Sequence, residues 1–353
     1  MISIIIPTLN EEAWIEKCLK SVLGFKLPNH QNFEIIIVDG NSQDKTVEIV
    51  KTIASENDLI SIINNPKVIQ SVALNLGFKR AKGEWILRLD AHSIYPANYL
   101  ILCYETTIQT KAQNVGGLFI AKLGADNYQA HMVQALTTHK FGVGGASFRT
   151  SMTAGEADTV PYGFFNKNIF ERIGYLDERL VRAQDYEFNR RIIACGGKIW
   201  RNPEIHVYYY NQPTMKKFLL KQMIREAPYN AYMWYLAPYS FTFRHAITGI
   251  FSLGVIGGLI FSPFNQIISF IFISVIILYF LLALLSSFQQ AKRYNKIEHI
   301  FTLPLGFFSY HFLHGLGLLY GIFKLIVGIA PVQKIREPWK GYGSFRIKIS
   351  NKF

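Results

Sequence analysis

Three of the first four apolar runs in this chain end in a polar or acidic cluster, and that punctuation restricts the fold more than any other feature. Ile2–Pro7 runs into Thr8-Leu9-Asn10-Glu11-Glu12, Phe33–Val38 into Asp39-Gly40-Asn41-Ser42, and Glu84–Leu89 into Asp90-Ala91-His92. Between them lie helix-like segments, beginning near Asn10, after Ser42, and from about Val68 to Arg80, while Leu59–Ile63 reads as another strand. Short strands alternating with helices describe an α/β fold, a mostly parallel sheet with helices on both faces. Ligands of such sheets sit at the carboxyl ends of the strands, so the three clusters are expected around one pocket.

Further along, Gly116-Gly117, Gly142 and Gly144-Gly145 suggest either a loop that closes over a ligand or turns between late strands. Tyr162–Phe165 reads as a strand entering a helix. Gln184–Cys195 reads as a helix with Asp185 and Glu187 in its first turn, followed by Gly196-Gly197 and a strand over Lys198–Arg201.

Composition changes near residue 240. Gln266–Phe288 carries no charge and is long enough to cross a hydrocarbon core of about 30 Å. Ala246–Phe264 and Leu303–Ala330 are further spanning candidates, so a multi-pass protein of the cytoplasmic membrane is expected, with two or three spans over 244–333. The residues before it divide into a domain over 1–210 and, over 211–243, amphipathic helices of a membrane interface, where Lys216, Lys217, Lys221 and Arg225 alternate with apolar residues. Nothing at the start reads as a signal peptide, which puts the first domain on the cytoplasmic side.

The net charge of +13 includes two basic clusters, Lys292, Arg293, Lys296 and the tail over 334–353. The positive-inside rule makes both cytoplasmic, which three full spans cannot satisfy, so a hairpin broken around Gly315-Leu316-Gly317 is expected in the last apolar segment. Both clusters flank apolar segments, which points to membrane lipid head groups and not to nucleic acid. Cys18, Cys103 and Cys195 are too widely spaced for a zinc site or a disulfide framework.

The clusters read chemically as a nucleotide-sugar site. Asp39 is placed to accept from a uracil or ribose edge, with Thr8, Asn10 and Glu11 framing that ring; the plainer reading of Asp39 is a turn former in Asp-Gly. Asp90 and His92, one residue apart in an extended segment, are placed to aim at one divalent metal, Mg²⁺ or Mn²⁺; alternatively His92 is an ordinary loop residue. Asp185, at a helix N-terminus, suits a general base, with Glu187 as its helper or as a surface residue. Gln222 and Arg225, three apart on one helix face, suit a diphosphate or lipid phosphates. A dinucleotide-dependent oxidoreductase is disfavoured, because no G-x-G-x-x-G follows the first strand.

In order along the chain, Ser3–Glu12, Val38–Thr46, Ala81–Glu84 leading to Asp90-Ala91-His92, and Gln184–Glu187 resemble the family-2 glycosyltransferases, which are inverting, use nucleotide sugars and have a GT-A fold, a Rossmann-like mostly parallel sheet. The resemblance covers about residues 1–210. It implies nucleoside contact at Asp39, a metal at Asp90 and His92 in the Asp-x-Asp position, and Asp185 as the base; Pro7 and Gly163 join Thr8, Asn10, Glu11, Gln222 and Arg225 as substrate-binding residues. His92 stands where most members have Asp. With Gly142–Gly145, Asp158-Thr159-Val160 and the apolar C-terminal half, it looks like the succinoglycan-type glucosyltransferases that extend a lipid-linked saccharide. Gln222–Arg225 is similar to the Gln-x-x-Arg-Trp motif of processive synthases, but Glu226 replaces Trp. The expected activity is transfer of one sugar, glucose from UDP-glucose, to a polyprenyl-diphosphate-linked saccharide acceptor; the rivals are a processive polysaccharide synthase and a catalytically silent membrane scaffold.

Overall fold

The computed structural model describes residues 1–333, so the basic tail of the sequence reading lies outside the described residues. Eight strands form one sheet: β1 (Ile2–Thr8), β2 (Phe33–Asp39), β3 (Ile60–Asn64), β4 (Trp85–Arg88), β5 (Asn114–Lys122), β6 (Gly155–Glu156), β7 (Phe164–Asn166) and β8 (Ile199–Tyr210), in the order β3-β2-β1-β4-β7-β5-β8-β6. The helices are α1 (Ile15–Leu23), α2 (Thr46–Ser55), α3 (Gln70–Arg80), α4 (Tyr99–Thr110), α5 (Tyr128–Thr137), α6 (Lys140–Val143), α7 (Ser147–Thr150), α8 (Ile169–Ile173), α9 (Gln184–Ala194), α10 (Met215–Leu220), α11 (Ala227–Leu236), α12 (Phe243–Phe261), α13 (Gln266–Tyr294) and α14 (His299–Ile326).

The chain forms two compact units. Among the described residues, the first holds 1–120 and 151–209; the second holds 121–150 and 210–333. The excursion over 121–150 is absent from the sequence division at 210, because no shift of composition marks it.

In the first unit β1 pairs in parallel with β2 and β4, and β2 with β3; β7 then runs antiparallel between β4 and β5. Strand β1 is apolar on both faces, as a central parallel strand must be: Ile2, Ile4, Ile5 and Ile6 are fully buried. Ile2, Ile4 and Ile6 pack with Ile35, Ile37, Leu87 and Leu89 against Cys18 and Leu19 of α1 and Tyr99, Leu100 and Cys103 of α4. The buried thiols of Cys18 and Cys103 form no disulfide. Three boundaries differ from the sequence reading. Helix α1 starts at Ile15, since Asn10 takes a left-handed φ of 54°, and α3 starts after Val68, whose φ is 58°. Gly116 and Gly117 lie inside β5, not in a loop or turn. Strand β8 runs for 12 residues, well past the strand over Lys198–Arg201 read from the sequence.

The second unit contains three helical segments long and apolar enough to cross a membrane, Phe243–Phe264, Gln266–Tyr294 and His299–Gln333. The hairpin expected at Gly315–Gly317 does not occur. Helix α14 is continuous over 28 residues, about 42 Å at 1.5 Å per residue. Its two glycines admit neighbouring backbone instead: a Cβ on Gly315 would lie 2.0 Å from the Thr248 carbonyl oxygen, and one on Gly317 2.1 Å from that of Met223. Small residues let helices approach where burial from water supplies no drive between them. Helix α11 buries seven of its ten residues, including Ala227 and Ala231, which pack with Leu318.

Candidate active site

Parallel pairing sets Thr8 beside Asp39 across β1 and β2, and β4 flanks β1 on its other side. The ends of these three strands therefore lie in a row. Beyond them the chain turns through Asn10 and Asn41, both left-handed, a conformation Asn adopts at little cost. The two turns are tied together. Asn10 N–H donates to Ser42 Oγ at 2.9 Å, Gln43 N–H to Asn10 Oδ1 at 2.8 Å, and Glu11 N–H to Thr46 Oγ1 at 2.7 Å. Asp39 is buried and its carboxylate accepts from Ser42 N–H at 2.9 Å, Ser42 Oγ at 2.6 Å and Thr8 Oγ1 at 3.3 Å. Its role as a turn former is thus present in the structure. Pro7, Thr8, Asn10, Glu11 and Asp39 all belong to this one rim.

At the end of β4, the Asp90 carboxylate meets Arg88 Nη2 at 2.8 Å, with side chains only 17% and 8% exposed. Gln70 Nε2 also donates to Asp90 Oδ1, at 3.4 Å, and Gln184 Nε2 donates to Gln70 Oε1 at 2.9 Å. This relay joins β4, the start of α3 and the start of α9. His92 Nδ1 lies 2.9 Å from Glu11 Oε1, and that carboxylate raises the imidazole above its ordinary value of 6.5. Among the described residues no group of three His, Cys, Asp or Glu side chains is arranged to hold a metal.

Asp185 is exposed in the first turn of α9, where its Oδ1 accepts from Tyr186 N–H at 2.8 Å. It lines a small cavity with Arg88, Tyr162, Asn189 and the apolar Leu74, Phe78, Phe165, Leu176 and Phe188. The Arg88 guanidinium lies 5.0 Å from the centre of the Tyr162 ring. Arg88 is held above its ordinary value by Asp90 and then Asp185, against the opposing effect of burial. Tyr162, which lines this cavity, and Ala183, two residues before Asp185, both have positive φ, 61° and 62°. Each costs of order 1–2 kcal/mol and persists only where packing enforces it.

The structure thus gathers Asp90 and Asp185 about Arg88, with Asp39 on the neighbouring strand ends. Gly163 lies at the β4–β7 edge, where its carbonyl accepts from Arg88 N–H at 3.0 Å; there it shapes the backbone under Arg88. Glu187 is not a surface residue. It is fully buried and ion-paired with Arg191, one turn away on α9. Gln222 and Arg225 lie in the second unit, on a π-helical turn over Lys221–Glu226, so the α-helical face assumed for them is not formed. Sequence reading missed Arg88, Gln70, Tyr162 and Gln184. Arg88 carried a signal, a lone cation inside the apolar run Glu84–Leu89.

The sequence model described as Glycosyl transferase family 2 matches residues 3–170. The chain is 30% identical over 340 residues to the dolichyl N-acetyl-alpha-D-glucosaminyl phosphate 3-beta-D-2,3-diacetamido-2,3-dideoxy-beta-D-glucuronosyltransferase of Methanococcus voltae, covering 92% of this chain and 97% of that one. It is also 30% identical over 209 residues to the succinoglycan biosynthesis protein ExoA of Rhizobium meliloti, covering 59% of this chain and 62% of that one. Among solved structures, the mannosyltransferase PcManGT of Pyrobaculum calidifontis shares the fold with a TM-score of 0.51 at 17% identity, over 99% of this chain and 86% of that one. With a GT-A-like mixed sheet and a match that runs nearly end to end, the chain belongs to the family-2 glycosyltransferases.

Proposed function

We propose that this glycosyltransferase moves a single sugar, with inversion, from UDP-glucose to a saccharide carried on a polyprenyl diphosphate at the cytoplasmic face of a membrane. The observation that carries the reading is Asp185, an exposed carboxylate in a helix first turn, lining one cavity with the buried Arg88 that pairs with Asp90. Asp185 takes the proton of the acceptor hydroxyl as that oxygen bonds to the anomeric carbon. The bond from that carbon to the diphosphate oxygen breaks on the opposite face, so the configuration inverts. Pro7, Thr8, Asn10, Glu11, Asp39 and Gly163 are assigned to the donor, and Gln222 and Arg225 to phosphates of the donor or of lipid.

Asp90 and His92 fit a divalent ion, Mg²⁺ or Mn²⁺, as a two-residue donor set. Glu11 holds His92 by Nδ1, as carboxylates commonly orient a metal-ligating imidazole. When bound, such an ion offsets the charge of the departing diphosphate. The solved mannosyltransferase carries GDP-mannose and Mn²⁺. Support for a lipid-borne acceptor comes from the Methanococcus voltae relative, named for a dolichyl N-acetylglucosaminyl phosphate, and from the three long apolar helices. Glu226 in place of Trp after Gln222–Arg225 supports one transfer over polymerisation.

The test is to incubate membranes with a panel of labelled nucleotide sugars and count label entering the lipid fraction. Asp185→Asn should lower turnover by about 10²–10⁴-fold with UDP affinity retained; undiminished turnover refutes the assignment. Transfer that persists in EDTA removes the metal from the reaction.

A further inference from the structure

Arg88, one of the residues lining the cavity beside Asp185, carries a polar donor that the protein leaves unused. Arg88 is 7% exposed, and among the described residues its buried Nε has no hydrogen-bond partner. The other polar side chains lining that space are engaged. Asn189 donates to Thr159 Oγ1 at 2.8 Å and accepts from Asn114 Nδ2 at 2.6 Å, and the Tyr162 hydroxyl lies 2.8 Å from Ser93 Oγ. A buried N–H left without an acceptor is unfavourable, so a position that keeps one is a candidate for a ligand oxygen.

We propose that Arg88 is a further substrate-binding residue, whose Nε–H donates to one hydroxyl oxygen of the transferred sugar in the cavity next to Asp185. Three observations select this ligand. The cavity is lined by both Arg88 and Asp185, so an oxygen bonded to Arg88 there belongs to a substrate held beside the proposed base. Asp90 pairs with the guanidinium at 2.8 Å and Asp185 lines the same cavity, an arrangement that disfavours another anion and accepts a neutral hydroxyl. The walls Leu74, Phe78, Phe165, Leu176 and Phe188 are apolar and suit the C–H face of a pyranose. The donor sugar is favoured over the acceptor because a guanidinium N–H on the attacking oxygen would draw electron density from it, opposing Asp185. The Tyr162 ring under the guanidinium and the Gly163 carbonyl on the Arg88 backbone hold the fork in place.

This rests on the nucleotide-sugar reading above, and the experiment separates the two. Affinities of the solubilised full chain for UDP-glucose and its 2-, 3-, 4- and 6-deoxy forms are measured by calorimetry for wild type, Arg88→Met and Arg88→Lys. Arg88→Lys keeps a cation for Asp90 but loses the Nε–H. Wild type should bind one deoxy form about 10-fold or more weakly than UDP-glucose, and both variants should discriminate by about twofold or less, as expected when a hydrogen bond from a charged donor is removed. Because the readout is a ratio within each protein, a general loss of affinity does not imitate it. Wild type that binds every deoxy form as tightly as UDP-glucose, or variants that keep the discrimination, overturn the proposal. If the discrimination behaves as expected while no label enters lipid, Arg88 stands and the transfer reading falls; failure to bind any UDP-glucose overturns both.

Discussion

Replacing Glu187 by Gln distinguishes a structural carboxylate from a catalytic one. Arg191 is fully buried; its Nε donates to Glu187 Oε1 at 3.0 Å and its Nη2 to Oε2, while Nη1 donates to the carbonyls of Ile173 at 3.0 Å and Tyr175 at 2.7 Å. The guanidinium thereby ties α9, which carries Asp185, to the end of α8 and the segment after it. In Glu187→Gln one acceptor and the whole negative charge are lost, while Arg191 stays buried. Removing one partner of a buried pair costs about 3–5 kcal/mol, and the remaining amide acceptor puts this variant near 3. For a domain of 150–250 residues that is a fall in Tm of about 6–12 °C. Thermal melting of the solubilised protein measures it, with UDP-sugar turnover followed at a temperature where both proteins are folded. Glu187→Leu with Arg191→Met, which removes the pair together, should recover much of the loss. A Tm equal to wild type combined with abolished turnover would refute the structural role and return Glu187 to the chemistry.

In α14, Gly315→Ala and Gly317→Ala should each destabilise by about 1–3 kcal/mol, because the added Cβ meets neighbouring backbone; a glycine present only to break a helix would give the opposite sign in a melting experiment. If all three apolar helices cross the membrane, Asn265→Cys and Lys296→Cys should react with an impermeant maleimide from opposite faces of sealed vesicles, and labelling from the same face rejects three spans. The pair Glu11–His92 raises the His92 value above 6.5, so its stabilisation is complete below 6.5 and is lost as pH rises through the raised value. The Tm difference between wild type and Glu11→Gln should therefore shrink with rising pH; a difference that grows contradicts the pairing.

The strand-ending clusters were legible because a parallel sheet turns a linear pattern into a spatial one. Apolar runs buried on both faces must be strands, parallel strands align their carboxyl ends, and so Thr8, Asp39 and Asp90 fall along one rim. The membrane helices were legible for a similarly local reason, since length and lack of charge alone qualify Gln266–Tyr294 to span. Glu187 and Asp185, two residues apart in one helix turn, look alike in sequence; only the packing of α9 buries one against Arg191 and exposes the other. Gly315 and Gly317 read as a break because a glycine's use depends on what approaches it, and the Thr248 and Met223 carbonyls come from distant segments. The same holds for Arg88. That an arginine interrupts an apolar strand is plain from the sequence, but its bond to Asp90, its unpaired Nε and its place beside Asp185 depend on the register of β4 and on left-handed backbone at Tyr162 and Ala183, which only the assembled fold enforces.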